Sequence, residues 1–280
     1  MCIRDRPYYE RVWAVTPTLS LQQRAIGADR AAREGIFSSQ AAIDLYSQIY
    51  ANENITGEAA ERATLLREAY VANTASERVS AMQSVWGNED SPDYGRLVLT
   101  AYAAARIPAS PDLAEHAPAL IASMLTAGLD RDAAAWSEAV EQGSDAWALI
   151  AVGRNALGRI EPREAIDSFI DEDNSADYRR SQFLLAGLAG LERVAPSDLS
   201  DFTSRTEADL TRQSRWSRAI TRAADVNNAA LVALLAGLGM QGEGWDRMTP
   251  RHLYFIVSSL RRVGLEAEAR MIAVEAIARV

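Results

Sequence analysis

The sequence predicts an all-α protein, an α/α superhelical solenoid of about 14 to 16 short antiparallel helices. Apolar residues recur at positions i, i+3, i+4 and i+7 along most of the chain, as from Ala41 to Tyr50 and from His252 to Leu260. Valine, isoleucine and threonine do not gather into alternating runs, so strands have little support. Alanine is abundant, and it is both the best helix former and small enough to let helices pack closely.

Capping signals mark where the predicted helices begin and end. At Ser91-Pro92, Ser110-Pro111 and Thr249-Pro250, a hydroxyl side chain precedes a proline that would occupy the first helical position. Thr74 and Glu77 have the spacing of a capping box, in which each side chain accepts a hydrogen bond from a backbone N–H near the other. Helix ends are predicted at five glycines, Gly35, Gly87, Gly128, Gly158 and Gly264.

The charge balance disfavours several partners and excludes some chemistries. The 280-residue chain has a formal charge of −9, whereas duplex DNA or an anionic membrane would select a broad basic face. All 29 basic residues are arginine, which rules out a Schiff-base lysine and a P-loop lysine. The apolar run from Ala229 to Met240 is shorter than the roughly 20 residues that span a bilayer. We therefore expect no nucleic acid partner and no membrane insertion.

The first six residues, MCIRDR, match the translation of a transposon end used to prepare sequencing libraries. We interpret residues 1–6 as a scar, because the residues that follow have the pattern of a helix interior. On this interpretation residues 7–280 form a single solenoid, the C-terminal fragment of a longer protein. Cys2, the only cysteine, is then foreign, and disulfides and cysteine nucleophiles are excluded with it. A genuine start is the alternative.

An internal repeat becomes visible when residues 115–136 are aligned without gaps to residues 251–272. Identical residues then pair at five positions: His116 with His252, Ser123 with Ser259, Gly128 with Gly264, Leu129 with Leu265 and Ala133 with Ala269. The offset between the two segments is 252 − 116 = 136 residues, which is four times the 34-residue period of tetratricopeptide repeats.

The pattern resembles a degenerate tetratricopeptide array. In that family a helix A ends at a glycine, and a small residue five positions later opens the packing face of helix B. Gly128 and Gly264 have such an alanine in place. The segments 30–46 and 147–169 match with one and two extra residues, while 55–110 and 175–245 rest on helicity alone. A different α-solenoid and a compact helical domain are the alternatives.

The resemblance implies a concave binding face lined by the A helices. Placing the family's contact positions on this chain selects Gln22, Asp29, Arg33, Asp145, Asn155, Arg251, Tyr254, Ser258, Arg261 and Arg262. The three arginines on the last repeat suit forked binding of a carboxylate or phosphate. The alternative is that Arg261 and Arg262 only neutralise a helix C-terminus.

Three motifs look like chemical sites, but their surroundings argue against each. Gly237–Gly242 matches a dinucleotide fingerprint, yet a helical pattern precedes it where a strand is required, so a helix end is the better interpretation. Asp171, Asp173, Ser175 and Asp177 have calcium-loop spacing, but the loop's glycine and last glutamate are missing. His116 and His252, the only histidines, occupy equivalent repeat positions far apart, so we expect neither a metal site nor a catalytic triad.

These observations lead to a functional hypothesis without catalysis or cofactors. We expect a non-enzymatic helical-repeat scaffold that binds a protein or peptide, with acidic groups on the partner as the natural complement of the arginines. One alternative is the non-catalytic superhelical domain of a bacterial cell-wall lytic enzyme, and another is a self-assembling structural protein. The compartment, bacterial cytoplasm or periplasm, stays open. Trp136, Trp147 and Trp216 are expected in the core.

Overall fold

The computed structural model describes residues 7–88, 92–156, 158–241 and 245–280, and these residues form an all-α structure. They hold sixteen α-helices and no strand, which confirms the predicted all-α class and helix number. Contacts between residues divide the chain into two compact units, Met1–Asp132 and Ala133–Val280. The proposed scar with Cys2, and also Ser91 and Gly242, lie outside the described residues. One continuous solenoid over 7–280 remains a prediction.

The first unit is built around a central helix, α6. Its helices are α1 (Pro7–Trp13), α2 (Leu21–Arg33), α3 (Ser39–Tyr50), α4 (Glu58–Val71), α5 (Ala75–Trp86), α6 (Tyr94–Ala104) and α7 (Ala117–Thr126). A 3-10 helix, Pro111–His116, leads into α7, and the short α8 (Asp130–Ala134) follows at the unit boundary. Helix α6 packs against α2, α3, α4, α5 and α7 because most of its residues are apolar.

Polar groups inside the first unit are paired. The indole N–H of Trp86 donates to the Thr100 hydroxyl at 2.7 Å, and the Thr100 and Ser123 hydroxyls lie 2.9 Å apart. Ser39 donates to the carbonyl of Val98 at 2.6 Å. Each pair joins two different helices, so these buried hydrogen bonds fix how the helices are aligned around α6.

The second unit is built around α11. Its helices are α9 (Asp145–Gly153), α10 (Arg163–Asp171), α11 (Arg179–Gly190), α12 (Pro196–Arg205), α13 (Arg215–Asp225), α14 (Ala229–Gly239), α15 (Pro250–Arg262) and α16 (Glu266–Ala278). Helix α11 packs against α9, α12, α15 and α16. It approaches α15 closely at Gly190, where an added Cβ would lie 2.8 Å from the Cβ of Val257. Helices α13, α14 and α15 also contact one another.

Most of the predicted caps are present. Thr74 and Glu77 form the capping box, and the Thr249 hydroxyl accepts from the backbone of His252 at the start of α15. Ser110 caps a 3-10 helix rather than an α-helix. The start predicted at Ser91-Pro92 is wrong, because α6 begins at Tyr94 and its cap is Asp93, whose carboxylate accepts from two backbone N–H groups.

The glycine ends are correct except at one position. Gly35, Gly87, Gly128 and Gly264 have positive φ angles and lie directly after or near the end of a helix. Gly158 also has a positive φ, but α9 has already ended at Gly153, five residues earlier. The predicted repeat register of residues 147–169 is therefore shifted, because arginine side chains from the loop after α11 and from α16 bind the last carbonyl groups of α9.

The prediction that three tryptophans lie in the core holds in part. Trp136 and Trp147 are buried, whereas Trp216 is only half-buried. Helix α16 buries Ala269, Ala273, Ala276 and Ile277, while Ile272 on the same side is partly exposed. Arg270 of the same helix is also buried despite its charge, and its guanidinium donates to the carbonyl of Gly153.

Candidate docking surface

The ten residues predicted on a concave face are divided between the two units. Three lie on α2 of the first unit, namely Gln22, Asp29 and Arg33. Seven lie in the second unit, and those are Asp145, Asn155, Arg251, Tyr254, Ser258, Arg261 and Arg262. They are described below by unit.

On α2, two of the three predicted residues hold the first unit together. Asp29 accepts from Arg62 of α4 at 2.7 Å and from Arg96 of α6 at 3.0 Å. Arg33 forms an ion pair with Asp93, the residue that caps α6. These contacts tie α2 to its neighbours, and only Gln22 is simply exposed.

On α15, the predicted arginines share one helix face, but each already has a carboxylate partner. Arg251 lies 3.5 Å from Asp209, Arg261 is paired with Glu192, and Arg262 is paired with Asp225. An incoming anion would therefore compete with acids of the same chain.

The remaining four predicted residues of the second unit either contact other residues of the unit or lie outside a helix. The Tyr254 ring meets Phe255 edge-on, with 5.3 Å between centroids, and Ser258 donates to the carbonyl of Phe255 at 3.4 Å. Asp145 pairs with Arg180 at 2.5 Å. Asn155 is exposed beyond the end of α9 and not on a helix, because of the register shift described above.

The motifs that suggested chemistry have structural partners. Asp173 accepts from the backbone N–H groups of Ser175 and Ser181 and from the Ser181 hydroxyl, so the acidic loop is a helix entry. Although burial raises the pKa of Asp173, these hydrogen bonds outweigh it and lower the pKa below its usual value. Residues Gly237 to Gln241 form the end of α14 and its exit, as the sequence predicts.

The contacts of the two histidines with described residues are of other kinds than metal ligation. His116 lies 3.4 Å from the Gln83 side chain in the first unit. His252 lies 2.6 Å from the Thr249 hydroxyl and stacks on Trp216 at 4.9 Å between centroids in the second. Burial, and secondly the charge of Arg251, lower the pKa of His252. Within the described ranges, no three histidine, cysteine, aspartate or glutamate side chains are grouped so as to hold a metal ion.

Described residues of the first unit line two notable clefts. One, of about 240 Å³, lies between α3 and α4 and is lined mainly by apolar and tyrosine side chains. At its mouth the Arg67 guanidinium lies 4.9 Å from the centre of the Tyr50 ring. Burial raises the pKa of Tyr70 in its wall to about 12. The other, of about 390 Å³, is polar and includes His116 and Gln83.

The most unusual surface in the second unit was not selected from the sequence. Leu234 of α14 is 70% exposed, Leu238 is 54% exposed and Leu231 is 39% exposed. The preceding turn adds Val226, which is 69% exposed. We call Leu231, Leu234 and Leu238 the leucine face. One exposed leucine is ordinary on a protein surface, but three on one helix face are a typical interaction surface.

The leucine face follows from the sequence of α14. No charged residue occurs between Val226 and Gln241, so both sides of the helix are apolar. The side with Val232 and Ala236 is buried in the unit, which leaves the leucines on the outside. The signal was therefore visible as an uncharged run without amphipathic alternation, because such a helix needs apolar contacts all round.

The neighbouring helix carries the opposite kind of surface. Helix α13 buries Ile220, Ala223 and Ala224 and exposes Arg215, Arg218 and Arg222 on its other side. We call these three arginines the arginine ridge. None of them forms an ion pair with a described residue, in contrast to the arginines of α15.

The pairing of α13 with α14 places the two surfaces side by side. A three-residue turn joins the helices, and both pack against α15 through their buried sides. Trp216 donates to the carbonyl of Leu235 at 2.9 Å, and its ring lies where a side chain at Gly239 would be, 2.4 Å from an added Cβ. We call the leucine face, the arginine ridge and Val226 together the hairpin surface.

Comparison with known proteins identifies no family for the chain. No family model, no curated protein and no solved structure matches the chain. The tetratricopeptide resemblance therefore remains a prediction. Among the helices of the described residues, none has both the length and the apolar character needed to cross a membrane.

Proposed function

We propose that this protein is a non-enzymatic helical-repeat scaffold that binds a protein or peptide, and that the hairpin surface is its main contact. The observation that carries the proposal is the leucine face of α14. It moves the expected contact from α15, whose arginines are already ion-paired, to the helix packed beside it.

The energetics of exposed leucines support a docking role. A leucine kept in water instead of a packed environment forgoes about 1.5 to 3 kcal/mol of transfer free energy. Three such side chains and Val226 are lined up along the α13–α14 hairpin. A partner that covers them gains this free energy, which the folded chain alone does not use. The occupant we expect is a helical segment of another protein, because a helix fits along a pair of packed helices.

The chemistry of the surface supports binding instead of catalysis. The leucine face contains no titratable group, nucleophile or metal ligand. The arginine ridge supplies charges that can orient a partner. A docking surface needs only apolar area with a charged border, and the hairpin surface has both.

A peptide selection on the intact chain tests the proposal. Helix-forming peptides selected from a displayed library should protect the backbone amides of α14 from hydrogen exchange when they bind. The double variant Leu234→Gln/Leu238→Gln should lose most of their affinity, because it removes the apolar contact. Two matched controls are Ile160→Gln and Ile26→Gln, which change exposed apolar residues elsewhere and should leave the affinity unchanged. Peptides that bind equally well to the leucine variant would contradict the proposal.

A further inference from the structure

We infer that the hairpin surface takes an acidic amphipathic helix of a partner protein, with its apolar side on the leucine face and its carboxylates on the arginine ridge. This inference rests on the proposed function and adds the chemistry of the partner.

The charge of the ridge is the first argument. The whole chain carries −9, yet Arg215, Arg218 and Arg222 are exposed together without an acidic partner among the described residues. Several other arginines of the second unit lie against aspartate, among them Arg163, Arg180, Arg205 and Arg262. A locally basic strip on an acidic protein attracts a negatively charged partner.

The spacing of the side chains is the second argument. Arg215 and Arg222 are seven residues apart on α13, and Leu231 and Leu238 are seven residues apart on α14. Seven residues are two helical turns, about 10.5 Å. The two strips therefore have the same length, as two sides of one helix-sized groove would require.

The register of the two helices is the third argument. The contact of Trp216 with Gly239 places the start of α13 beside the end of α14. Arg215 is consequently level with Leu238, and Arg222 is level with Leu231, near the turn. A partner helix lying along the hairpin can then meet a leucine on one side and an arginine on the other at each turn.

These positions define the partner's pattern. Leucine-like residues at i, i+3 or i+4, and i+7 would cover the leucine face. Aspartate or glutamate at the same spacing on the adjacent side would reach the ridge, where each guanidinium can bind a carboxylate through two parallel hydrogen bonds.

A second copy of this chain complements the charge of the hairpin surface less well than an acidic helix does. Residues 226–241 contain no acid. The nearest acid at the end of α13, Asp225, is already paired with Arg262. Two copies joined through their leucine faces would therefore leave both arginine ridges unneutralised. An anionic membrane is disfavoured by the net charge of −9, which repels the protein from it.

Three labelled peptides of about 18 residues provide the test, since this length gives about five helical turns. The first has leucines on one side and glutamates on the flank. The second replaces every glutamate with lysine, and the third scrambles the first so that no apolar side remains. Binding to the full chain is measured by fluorescence anisotropy, from about 50 mM to about 500 mM salt.

We expect the acidic amphipathic peptide to bind at least tenfold more tightly than the other two, and more weakly as salt rises. Arg215→Glu/Arg218→Glu/Arg222→Glu should reverse the preference in favour of the lysine peptide. Arg215→Gln/Arg218→Gln/Arg222→Gln should abolish the preference without introducing repulsion of the acidic peptide. This variant replaces the glutamate variant in the test if the glutamate variant folds poorly. Leu234→Gln/Leu238→Gln should weaken binding of both amphipathic peptides.

The possible failures separate the two claims. If binding depends on the leucines but ignores the peptide charge, the acidic partner is wrong and the docking role stands. If library-selected peptides also ignore the leucines, both fail. A leucine-dependent dimer of the protein alone would replace the partner with a second copy. Binding to vesicles containing anionic lipid, with no peptide binding, would replace it with a membrane surface.

Discussion

Arg193 donates a hydrogen bond to the carbonyl oxygen of Ala151 at 2.7 Å, and this bond closes the end of α9. The same guanidinium reaches the carbonyls of Val152 at 3.2 Å and Arg154 at 2.8 Å. Arg193 is only 1% exposed, and Glu161 is buried next to it in an ion pair with Arg154. A positively charged side chain thus binds carbonyl groups that have no partner within their own helix.

Replacing Arg193 with alanine should destabilise the protein by about 3 to 5 kcal/mol. The substitution leaves several buried carbonyl oxygens without their donor and removes the contact of Arg193 with Glu266 at 3.6 Å. Urea unfolding followed by circular dichroism measures the change. Arg218→Ala, an exposed arginine without a described ion pair, is the control and should change stability by less than about 0.5 kcal/mol. A similar small effect for both variants would show that Arg193 is not needed.

Two glycine-to-alanine substitutions should have opposite signs. Gly190→Ala places a methyl group 2.8 Å from the Cβ of Val257, so the contact between α11 and α15 must open, at a cost of about 1 to 3 kcal/mol. Gly237→Ala has nothing within 4 Å and should stabilise α14 by about 0.5 to 1 kcal/mol. The thermal stabilities of the two variants are measured beside that of the wild type. Equal changes in both variants would refute the packing argument.

Stability should fall as the pH is lowered past the ordinary histidine range. The pKa of His252 is lowered in the folded protein, chiefly by burial and also by Arg251, so the unfolded chain takes up the proton first. The contribution of the neutral ring is complete above about pH 6.5 and decreases as the pH falls from there toward the lowered pKa. The difference in unfolding free energy between wild type and His252→Gln, measured from pH 7.5 downward, isolates this group. A difference independent of pH would contradict it.

The leucine face should be dispensable for folding. Leu234→Gln/Leu238→Gln should change the free energy of unfolding by less than about 0.5 kcal/mol, because exposed side chains lose little burial. Val232→Ala, on the opposite side of the same helix, should cost about 2 kcal/mol because Val232 is fully buried. If both variants are equally destabilised, the leucines have contacts within the fold and are not a free surface.

Local signals in the sequence predicted much of the fold. The helical period predicted the class and the number of helices. The hydroxyl caps predicted the starts of α5 and α15, and the glycines predicted the ends of α2, α5, α7 and α15. The helical period and the caps both depend on residues a few positions apart, so they can be recognised in a single sequence. The end of α9 was misplaced at Gly158 because Arg193 and Arg270, which end that helix, are distant in the chain.

The docking surface was harder to predict for the same reason. The repeat register selected residues on α2 and α15, where Asp29 and Arg33 proved to link helices. Which side of a uniformly apolar helix such as α14 is left exposed depends on what packs against the other side. The lack of charge from Val226 to Gln241 is the clue that the sequence contains, and it does not say which side of the helix is exposed.

The end of α9 has a consequence for synthesis on the ribosome. The carbonyl of Gly153 is bound by Arg270, which is translated 117 residues later, and Arg193 is made between them. Until both arginines have left the exit tunnel, the last turn of α9 lacks the side chains that bind its carbonyl groups in the folded unit. The second unit therefore completes its structure only after nearly all of its helices have been translated, whereas the first unit can finish folding while the ribosome is still working.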